Sequence, residues 1–218
     1  MRHESIIAAV QIDEQLMSSD SENRRGRQTD PRPAGAPRTC VRIATEPWEL
    51  AEIHRLNHAA FVEEIPQHAP HPSGVRVDPF HQDNTYLIAV RDRTVVGMVA
   101  VRDRRPFSLD LKLGNIDAYL TPASRCCELR LLTVVPGARL GRVLPRLLSA
   151  LWMHCKEQGY ERAVISATTR QLKLYRHLGF ESFGPLIGAP DARFQPMVMT
   201  RERAETVLDT MFRPAPEC

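Results

Sequence analysis

The chain has 218 residues, of which 43% are hydrophobic, and a formal charge of +3 at pH 7. This length fits one α/β domain with a tail, and the apolar content is sufficient for a packed core. The mild charge is too weak to indicate nucleic acid as a partner, but it suits an anionic ligand such as a phosphorylated cofactor or an acidic carrier protein. No apolar run approaches the roughly 20 residues of a membrane span, and the N-terminus lacks the apolar core of a secretory signal.

The first predicted boundary separates a polar tail from a folded domain. Residues 1–39 are charged or rich in proline and glycine, and such a composition buries too little apolar surface to offset its ordering entropy. We therefore expect a disordered tail over 1–39, a folded domain over 40–212 and a C-terminal tail over 213–218. The domain begins with a strand at 41–44 and a helix that Pro47 opens and that runs to about Ala59.

The middle of the chain predicts a hairpin between two loops. Residues 61–77 contain three prolines and a glycine and are predicted to be mostly loop. Apolar runs at 85–90 and 94–101 flank a charged turn, which indicates an antiparallel hairpin. The long connection at 104–125 is of a length that is often functional. Alternation over 127–135 then predicts a central strand.

The remainder of the domain alternates helices and strands. An amphipathic helix is predicted over about 141–158 and a strand over 162–168. A short helix follows and ends at Gly179, because glycine adopts the left-handed C-terminal conformation at low cost. Strands near 180–183 and 196–200 and a helix over 202–211 complete the order.

The segment that ends in Leu178-Gly179-Phe180 resembles a known family. Tyr175 lies about one turn before this stop, and the block and the element order resemble the GCN5-related N-acyltransferases (the GNAT superfamily). The resemblance implies an α/β (α+β) GNAT fold, with a mixed, mostly antiparallel central sheet, splayed central strands and flanking helices. In that family the tyrosine hydroxyl lies beside the thioester sulfur and acts as general acid. The alternative is a core tyrosine that closes an αβ unit.

The turn after the central strand resembles the donor site of the family. In GNAT proteins this strand pairs with the pantetheine arm, and the turn binds the pyrophosphate at the positive end of a helix dipole. The Val-x-Pro-x-x-Arg opening matches, whereas bulky Arg142 and Leu144 occupy the two small positions after Arg139. Arg139 and Arg142 can supply charge instead, and the alternative is an ordinary turn with solvated arginines. The resemblance implies binding of acyl-CoA or acetyl-CoA by Leu132, Thr133, Val134, Arg139, Leu140, Gly141, Arg142, Val143 and Leu144.

Three further segments, 57–64, 77–87 and 127–130, are similar to the acyl-homoserine-lactone synthases and N-acyl amino acid synthases. In that branch an acidic pair three apart precedes the second strand, and a Glu followed by an Arg lies on the central strand. Here the pair is Asp78 with His81, and the Glu-to-Arg spacing is two rather than three. The resemblance implies a longer acyl chain, acyl carrier protein as an alternative donor, and an acceptor pocket that includes Phe61, Glu64 and Asp78.

Residues 128 and 130 project from one face of the central strand, because side chains alternate along a strand. Glu128, directly or through water, is a candidate to remove a proton from the acceptor ammonium, and Arg130 is a candidate to fix Glu128 or an acceptor carboxylate. Tyr175 would supply the proton for the leaving thiolate. His81 is a rival base, since histidine titrates near neutrality. The structural alternative for Glu128 and Arg130 is an ion pair.

The cysteines give no sign of a metal site or a disulfide framework, because their number is odd and no CxxC spacing occurs. A reducing, cytoplasmic location is the default expectation. The acids and histidines at 63–71 have irregular spacing for metal ligands, so we predict no metal and interpret this loop as part of the acceptor pocket. Cys126 or Cys127 as a nucleophile is the alternative to direct attack, but a buried cysteine is commoner.

Together these patterns predict an N-acyltransferase that moves an acyl group from a thioester to a primary amine by direct attack in a ternary complex. An amino acid or similar small molecule is the expected acceptor. One rival function is a simple N-acetyltransferase that uses acetyl-CoA, and acyl chain length separates the two. A rival of another class is a non-catalytic acyl-CoA-binding module, which the unusual phosphate turn favours and which Tyr175 and Glu128 disfavour. The sequence leaves the oligomeric state open.

Overall fold

An eight-stranded sheet organises the part of the chain that the structure describes. The structure is a computed structural model, and it describes residues 39–64, 69, 71–121, 125–189 and 192–211. The strands are β1 Thr39–Ile43, β2 Asn84–Arg91, β3 Thr94–Arg102, β4 Cys126–Val134, β5 Arg162–Thr168, β6 Glu181–Ser182, β7 Ile187–Ala189 and β8 Ala192–Thr200. The helices are α1 Pro47–His58, α2 Ser108–Leu113, α3 Val143–Glu157, α4 Leu172–His177 and α5 Arg201–Met211.

The strands lie in the order β1-β2-β3-β4-β5-β8-β6, and β7 pairs with β8. β4 and β5 are parallel, and the other pairings are antiparallel. The predicted hairpin is confirmed as β2 and β3. Asp92 and Arg93 both have positive φ at its tip, as a tight hairpin turn requires. The mixed, mostly antiparallel sheet that the resemblance implied is therefore present.

β4 contains a bulge near its centre. Leu131 has a φ of 54°, and the register with β3 shifts between Met98 and Ala100, so that β4 carries one extra residue. The extra residue directs Leu131 to the face that packs on α1, whereas Leu129 and Leu132 pack on the opposite face with α3. Strict alternation would have placed Leu131 beside Leu129. The bulge thus redirects the backbone of β4 at its midpoint.

β4 and β5 separate in the same region. They pair only from Cys126 to Glu128 on β4, opposite Arg162 to Val164 on β5. Beyond these residues the two strands are not paired with each other. The predicted splayed central strands are confirmed, and a gap opens between the second halves of β4 and β5.

Helices cover both faces of the sheet. On one face α3 and α5 bury an apolar cluster that includes Leu147, Leu151 and Leu208. On the other face α1 and the π-helical turn Ala59–Glu64 pack on β2 and β3, and α2 packs on β5. α1 starts as predicted at Pro47, where the buried Glu49 carboxylate accepts the amides of Thr45 and Glu46 and pairs with Arg42.

Two predicted loops contain helical structure. Residues Ala59–Glu64 form a π-helical turn that buries Ala60, Phe61 and Val62, because burial of these apolar side chains outweighs the weaker π-helical hydrogen bonds. The connection after β3 contains α2, whose Phe107 and Leu109 side chains are buried against β5. The segment predicted to be mostly loop thus begins with helical structure, and the connection at 104–125 contains a helix that was not predicted.

Several predictions fall outside the described residues. These include the tail over 1–38, the end of the chain from 212, and residues 65–68 and 70 of the loop that was considered for metal ligands. Of the described cysteines, Cys126, Cys127 and Cys155 are free thiols, whereas Cys40 takes part in a disulfide that the cysteine count and spacing did not indicate. Among the described helices none is both long and apolar enough to cross a membrane.

Candidate active site

The gap between β4 and β5 leads to the N-terminus of α3. A 3-10 turn, Pro136–Ala138, follows β4, and Arg142 occupies the N-cap of α3 without a side-chain capping bond. The first amides of a helix have no intrahelical acceptor, so this end of α3 presents N–H groups and positive dipole charge. Pro145 contributes no amide, which leaves the amides before it to meet an anion. The arrangement suits a phosphate group at the mouth of the gap.

Arg139 does not project freely from this turn. Its two terminal nitrogens contact the two carboxylate oxygens of Glu64 at 2.7 and 2.6 Å, and its Nε donates to the Val134 carbonyl at 2.9 Å. The predicted phosphate ligand and the predicted acceptor-pocket acid are therefore joined in one bidentate pair. This pair ties the π-helical turn to the end of β4. Arg142, in contrast, is exposed, as are Leu140 and Gly141.

Tyr175 lies in the core on the α3 face of the sheet. It is 2% exposed, and its ring packs edge-on against Phe180 at 6.0 Å between centroids. Its hydroxyl has no hydrogen-bond partner among the described residues. Burial raises the pKa of Tyr175 well above its usual range, so the hydroxyl stays protonated at neutral pH. A buried hydroxyl without a partner is costly, and a ligand atom in the gap would satisfy it.

An apolar cavity of about 60 Å³ lies between α3, α5 and the sheet. Leu129, the first β4 residue beyond the paired segment, lines it, and so does Phe180, which contacts Tyr175. Leu151 and Leu208 close it from the helices. The cavity is therefore an apolar space lined by the first β4 residue beyond the paired segment and by one residue that contacts Tyr175.

A buried ion cluster occupies the opposite face of β4. Arg130 is 1% exposed and lies between two carboxylates: one terminal nitrogen contacts Asp78 at 2.6 Å and the other contacts Glu128 at 3.2 Å. Its guanidinium also stacks over the Phe80 ring at 4.6 Å. The predicted proximity of Glu128 and Arg130 is present, and the fold adds Asp78 from a position 52 residues earlier in the sequence.

Each oxygen of Glu128 already accepts two hydrogen bonds. One oxygen accepts the Ser108 hydroxyl and the Leu109 amide, and the other accepts the Ser108 amide and Arg130. A carboxylate offers about four acceptor sites, so the capacity of Glu128 is filled. The side chain is also fully buried. Glu128 therefore connects β4 to the start of α2, a contact that was not predicted because α2 itself was missed.

His81 lies at the edge of this cluster and is half-buried. Its Nδ1 is 3.3 Å from the Tyr86 hydroxyl, which also accepts the Asn84 amide at 3.0 Å, and Asn84 donates to Asp78 at 3.1 Å. The network thus runs from His81 through Tyr86 and Asn84 to Asp78 and Arg130. Burial raises the pKa of Tyr86 to about 12, so this hydroxyl also keeps its proton.

His54 packs against His81 from the other side. The two rings meet edge-on with centroids 4.5 Å apart. Burial, and then the nearby His81, lower the pKa of His54 below its ordinary value of 6.5. The second imidazole is therefore kept neutral at pH 7, and it orients the His81 ring without adding charge.

Neither central cysteine is suited to act as a nucleophile. Burial raises the pKa of the Cys126 thiol to about 12. The hydrogen bond with Cys155 and burial raise the pKa of Cys127 well above the ordinary value, and Cys127 lies on the face opposite to Glu128. Both thiols stay protonated at neutral pH, which disfavours a covalent acyl-enzyme.

The predicted site residues thus form two groups on the two faces of β4. The group predicted to bind the donor comprises the gap, the turn before α3 and Tyr175. The group predicted to serve the acceptor comprises Asp78, His81, Glu128 and Arg130, and Glu64 is joined to the first group through its pair with Arg139. The residues that sequence reasoning missed are those of α2 and the His54–Tyr86 contacts, and the only signal for the first was the length of the connection at 104–125.

Comparisons with known proteins give the family and the fold of this chain. Residues 52–202 match the family model of the N-acyl amino acid synthase FeeM. Among solved structures, the CoA-dependent acyl-homoserine lactone synthase BjaI, with SAM and isopentyl-CoA, has a TM-score of 0.67 at 21% identity over 83% of this chain and 92% of that chain.

Two further structures share the fold. FeeM from uncultured soil microbes has a TM-score of 0.65 at 15% identity over 82% of this chain and 100% of that chain, and the AHL synthase LasI has 0.63 at 18% over 76% and 91%. A search of curated proteins found no significant match. Because the family model covers more than half of the 218 residues, the chain belongs to the FeeM family of N-acyl amino acid synthases and is an acyltransferase.

Proposed function

We propose that this acyltransferase transfers an acyl group from acyl-CoA to the amino group of an amino acid or a similar small amine. The observation that carries the proposal is the buried hydroxyl of Tyr175, which has no partner among the described residues and belongs to the same core cluster as Leu132 of β4 and Ala167 of β5, both beyond the paired segment. A thioester sulfur in the gap would give this hydroxyl a partner. The BjaI structure contains isopentyl-CoA, which supports CoA as the carrier for a chain of this fold.

The donor phosphates would meet the amides at the start of α3, with Arg142 as the exposed cation. Leu132, Thr133 and Val134 would offer backbone groups to the pantetheine arm after the bulge at Leu131. The side chains of Arg142 and Leu144 limit how closely a phosphate can approach the backbone of the turn. We therefore assign more of the phosphate contact to side-chain charge than the GNAT pattern implies. An acyl carrier protein, whose pantetheine ends in one phosphate, is the alternative donor.

The reaction would proceed by direct attack. The acceptor ammonium first loses a proton to a base, and the neutral amine then forms a C–N bond with the thioester carbonyl carbon. The C–S bond breaks, the nitrogen loses a second proton, and the thiolate gains one to leave as a thiol. Tyr175 would donate its hydrogen bond to the developing thiolate, where it acts only as charge appears on sulfur.

His81 is the better placed of the two candidate bases. The Glu128 oxygens are saturated, so an acceptor ammonium would have to displace existing hydrogen bonds to reach them. His81 is half-buried and held by Tyr86 and His54, with access to solvent. We therefore assign proton removal to His81 and assign Glu128, with Asp78, to holding Arg130 and the acceptor face in place.

The acyl chain would enter the apolar cavity. About 60 Å³ accommodates only a few methylene groups, so we expect short branched or medium acyl chains rather than long ones unless α5 moves. Ala204 and Leu208 of α5 line this space. Ala204→Leu should fill it and shift preference towards acetyl-CoA, and Leu208→Ala should enlarge it and shift preference towards longer chains. Unchanged chain-length profiles in both variants would place the acyl chain elsewhere.

The test of the proposed function is free-thiol release by purified protein with acetyl-, medium- and long-chain acyl-CoA. Each donor is offered with a mixture of the twenty amino acids, and the products are identified by mass. Turnover with chains longer than acetyl supports the proposal and names the acceptor. Turnover with acetyl-CoA alone would make the protein a simple N-acetyltransferase. If no thiol is released with any acyl-CoA, and none when acyl carrier proteins are the donors, the protein would be a non-catalytic binding module.

A further inference from the structure

Two buried polar atoms in the network around His81 have no hydrogen-bond partner among the described residues. They are Nδ1 of His54 and Oδ1 of Asn84. The His54 ring meets the His81 ring edge-on, with centroids 4.5 Å apart. Asn84 Nδ2 donates at 3.0 Å to the Tyr86 hydroxyl, which lies 3.3 Å from His81 Nδ1. A buried polar atom without a partner is costly, so both atoms are candidates to contact a ligand.

Asp78 determines which end of the Asn84 amide is left without a partner. Asp78 Oδ1 accepts the Phe80 amide at 2.9 Å and Asn84 Nδ2 at 3.1 Å, and Oδ2 accepts from Arg130 at 2.6 Å. A carboxylate only accepts hydrogen bonds, so Asn84 must direct its nitrogen to Asp78. The Asn84 oxygen is therefore the end without a partner, and an amide oxygen can only accept.

His54 presents a second acceptor. Burial lowers the pKa of His54 below its ordinary value, so the ring is neutral at pH 7 and one of its nitrogens carries a lone pair. The tautomer with hydrogen on Nε2 leaves that lone pair on the buried Nδ1, and an N–H donor at this place would select that tautomer. Arg130 Nε also lacks a partner among the described residues, but it is a donor and its guanidinium lies over the Phe80 ring, so it does not suit a cation.

We propose that His54 Nδ1 and Asn84 Oδ1 bind two of the N–H groups of the acceptor ammonium, with the remaining one directed to His81, and so make the enzyme specific for primary amines. This inference rests on the proposed acyltransfer to a small amine with His81 as the base. A primary ammonium has three N–H donors, one for each of these side chains. A secondary ammonium has one N–H fewer and leaves one buried acceptor without a partner. Hydrogen bonds from a charged donor are the stronger ones, so each lost contact should lower affinity about tenfold or more.

The experiment compares an amino acid that thiol release identifies as an acceptor with its N-methyl derivative, because the methyl group removes one N–H and keeps the positive charge. Wild-type protein should show a kcat/KM at least about tenfold higher for the primary amine. His54→Phe keeps a ring against His81 and removes Nδ1, so the acceptor KM should rise about tenfold while the donor KM stays unchanged. The preference for the primary amine should fall by a similar factor, because the variant has only two acceptors left for either amine.

His54→Gln is the conservative variant, because its amide oxygen can still accept a hydrogen bond. It should restore part of the preference for the primary amine, which a purely structural role of the imidazole ring would not predict. Urea midpoints of both variants show that the protein remains folded.

His154→Phe is the matched control. His154 also has a buried ring nitrogen without a partner among the described residues, and it packs edge-on against Tyr160 at 6.4 Å between centroids, but it lies on α3. This variant should leave the acceptor KM and the preference for primary amines unchanged.

Equal kcat/KM for the two amines in wild-type protein, or a His54→Phe protein that keeps the acceptor KM and the preference, would overturn the inference while thiol release still supports the acyltransfer. A fall in kcat at unchanged acceptor KM would also overturn it and assign His54 to positioning His81. Absence of thiol release with every amine would refute the proposed function and this inference with it.

Discussion

Tyr175 and Glu128 differ in whether their polar atoms have partners. The Tyr175 hydroxyl is buried and has no hydrogen-bond partner among the described residues, whereas the Glu128 carboxylate accepts four hydrogen bonds. Native proteins rarely leave a buried hydroxyl unsatisfied, and a catalytic role is one explanation for such a group. The two residues should therefore respond in opposite ways to the loss of their polar atoms.

Tyr175→Phe removes only the hydroxyl. We expect the free energy of unfolding to change by less than about 1 kcal/mol, because no hydrogen bond among the described residues is lost, and we expect kcat to fall about 100-fold or more. Donor binding should be retained. Urea unfolding, calorimetric titration with acyl-CoA and thiol release measure the three quantities.

Tyr160→Phe is the matched control for stability, since the Tyr160 hydroxyl donates to Asp103 at 3.1 Å. It should destabilise the protein by about 1 kcal/mol. A Tyr175→Phe protein that keeps full turnover would show that the tyrosine is a core residue, which is the structural alternative that the sequence left open.

Glu128 and His81 can be distinguished by a second pair of variants. Glu128→Gln leaves the Arg130 charge with one fewer carboxylate in a buried site, so we expect a loss of about 3–5 kcal/mol in the free energy of unfolding. His81→Gln should leave stability within about 1 kcal/mol and lower kcat about 100-fold, because it removes the proposed base. Chemical denaturation and thiol release measure these effects.

The assignment of the base would be reversed by the opposite pattern. A Glu128→Gln protein that remains stable but inactive, beside an active His81→Gln protein, would make Glu128 the base. We expect the first pattern, because Glu128 is buried and fully hydrogen-bonded. Its substitution should lower the free energy of unfolding.

At the residue scale the sequence predicted only what local spacing contains. Strand alternation placed Glu128 and Arg130 on one face, and this is confirmed by their contact. The third member, Asp78, comes from a loop 52 residues earlier, and the start of α2 supplies the donors that fill Glu128. Neither partner follows from a periodicity, because each depends on how distant segments pack.

At the element scale, Gly97 sets how closely α3 approaches the sheet. A Cβ built at Gly97 would lie 3.2 Å from the Thr133 carbonyl oxygen, 3.2 Å from Val143 Cγ1 and 3.3 Å from Val134 Cγ2. These atoms belong to the end of β4 and the first residue of α3. The backbone oxygen cannot move without shifting β4, so a side chain here would disturb the segment assigned to the donor.

Gly97→Ala should therefore destabilise the protein by about 1–3 kcal/mol and raise the donor KM, because overpacking moves the end of β4 and the start of α3. Gly137→Ala is the matched stability control, since a Cβ there meets no atom within 4 Å. Urea unfolding and donor titration measure both variants. Equal stability of the two would mean that β3 and α3 separate freely and that the turn is not held by this contact.

Element boundaries were predictable wherever hydrophobic periodicity was long. The helix predicted over 141–158 is α3, Val143–Glu157, and the strand predicted over 162–168 is β5, Arg162–Thr168. The bulge at Leu131 left no sign in the sequence. A leucine with a φ of 54° is unfavourable locally and is kept by tertiary packing, which no local pattern shows. Six-residue α2 and three-residue β7 are too short to show a period.

At the scale of the whole molecule, two histidines and two aspartates have pKa values that folding lowers. They predict two separate pH ranges in which the protein becomes less stable. Burial lowers the pKa of both His54 and His154 below 6.5, so the unfolded chain binds protons on them at a higher pH than the folded protein does. Hydrogen bonds from Arg102 and Trp152 hold the pKa of Asp83 and Asp209 below 3.8. These carboxylates stay ionised in the folded protein after they are protonated in the unfolded chain.

Wherever the unfolded state binds more protons, the free energy of unfolding falls as the pH falls. The histidine contribution is complete above about pH 7 and is lost as pH falls through 6.5 towards the lowered histidine pKa values, and the carboxylate contribution is lost only below about pH 4. Urea midpoints at pH 8, 6, 5 and 3 should therefore decline in two stages. The double variant His54→Gln, His154→Gln should flatten the first stage and keep the second, because it removes both imidazoles and no carboxylate. If the first stage of the decline is as large in that variant as in the wild-type protein, other groups cause the loss of stability. Burial of these two histidines would then not be its cause.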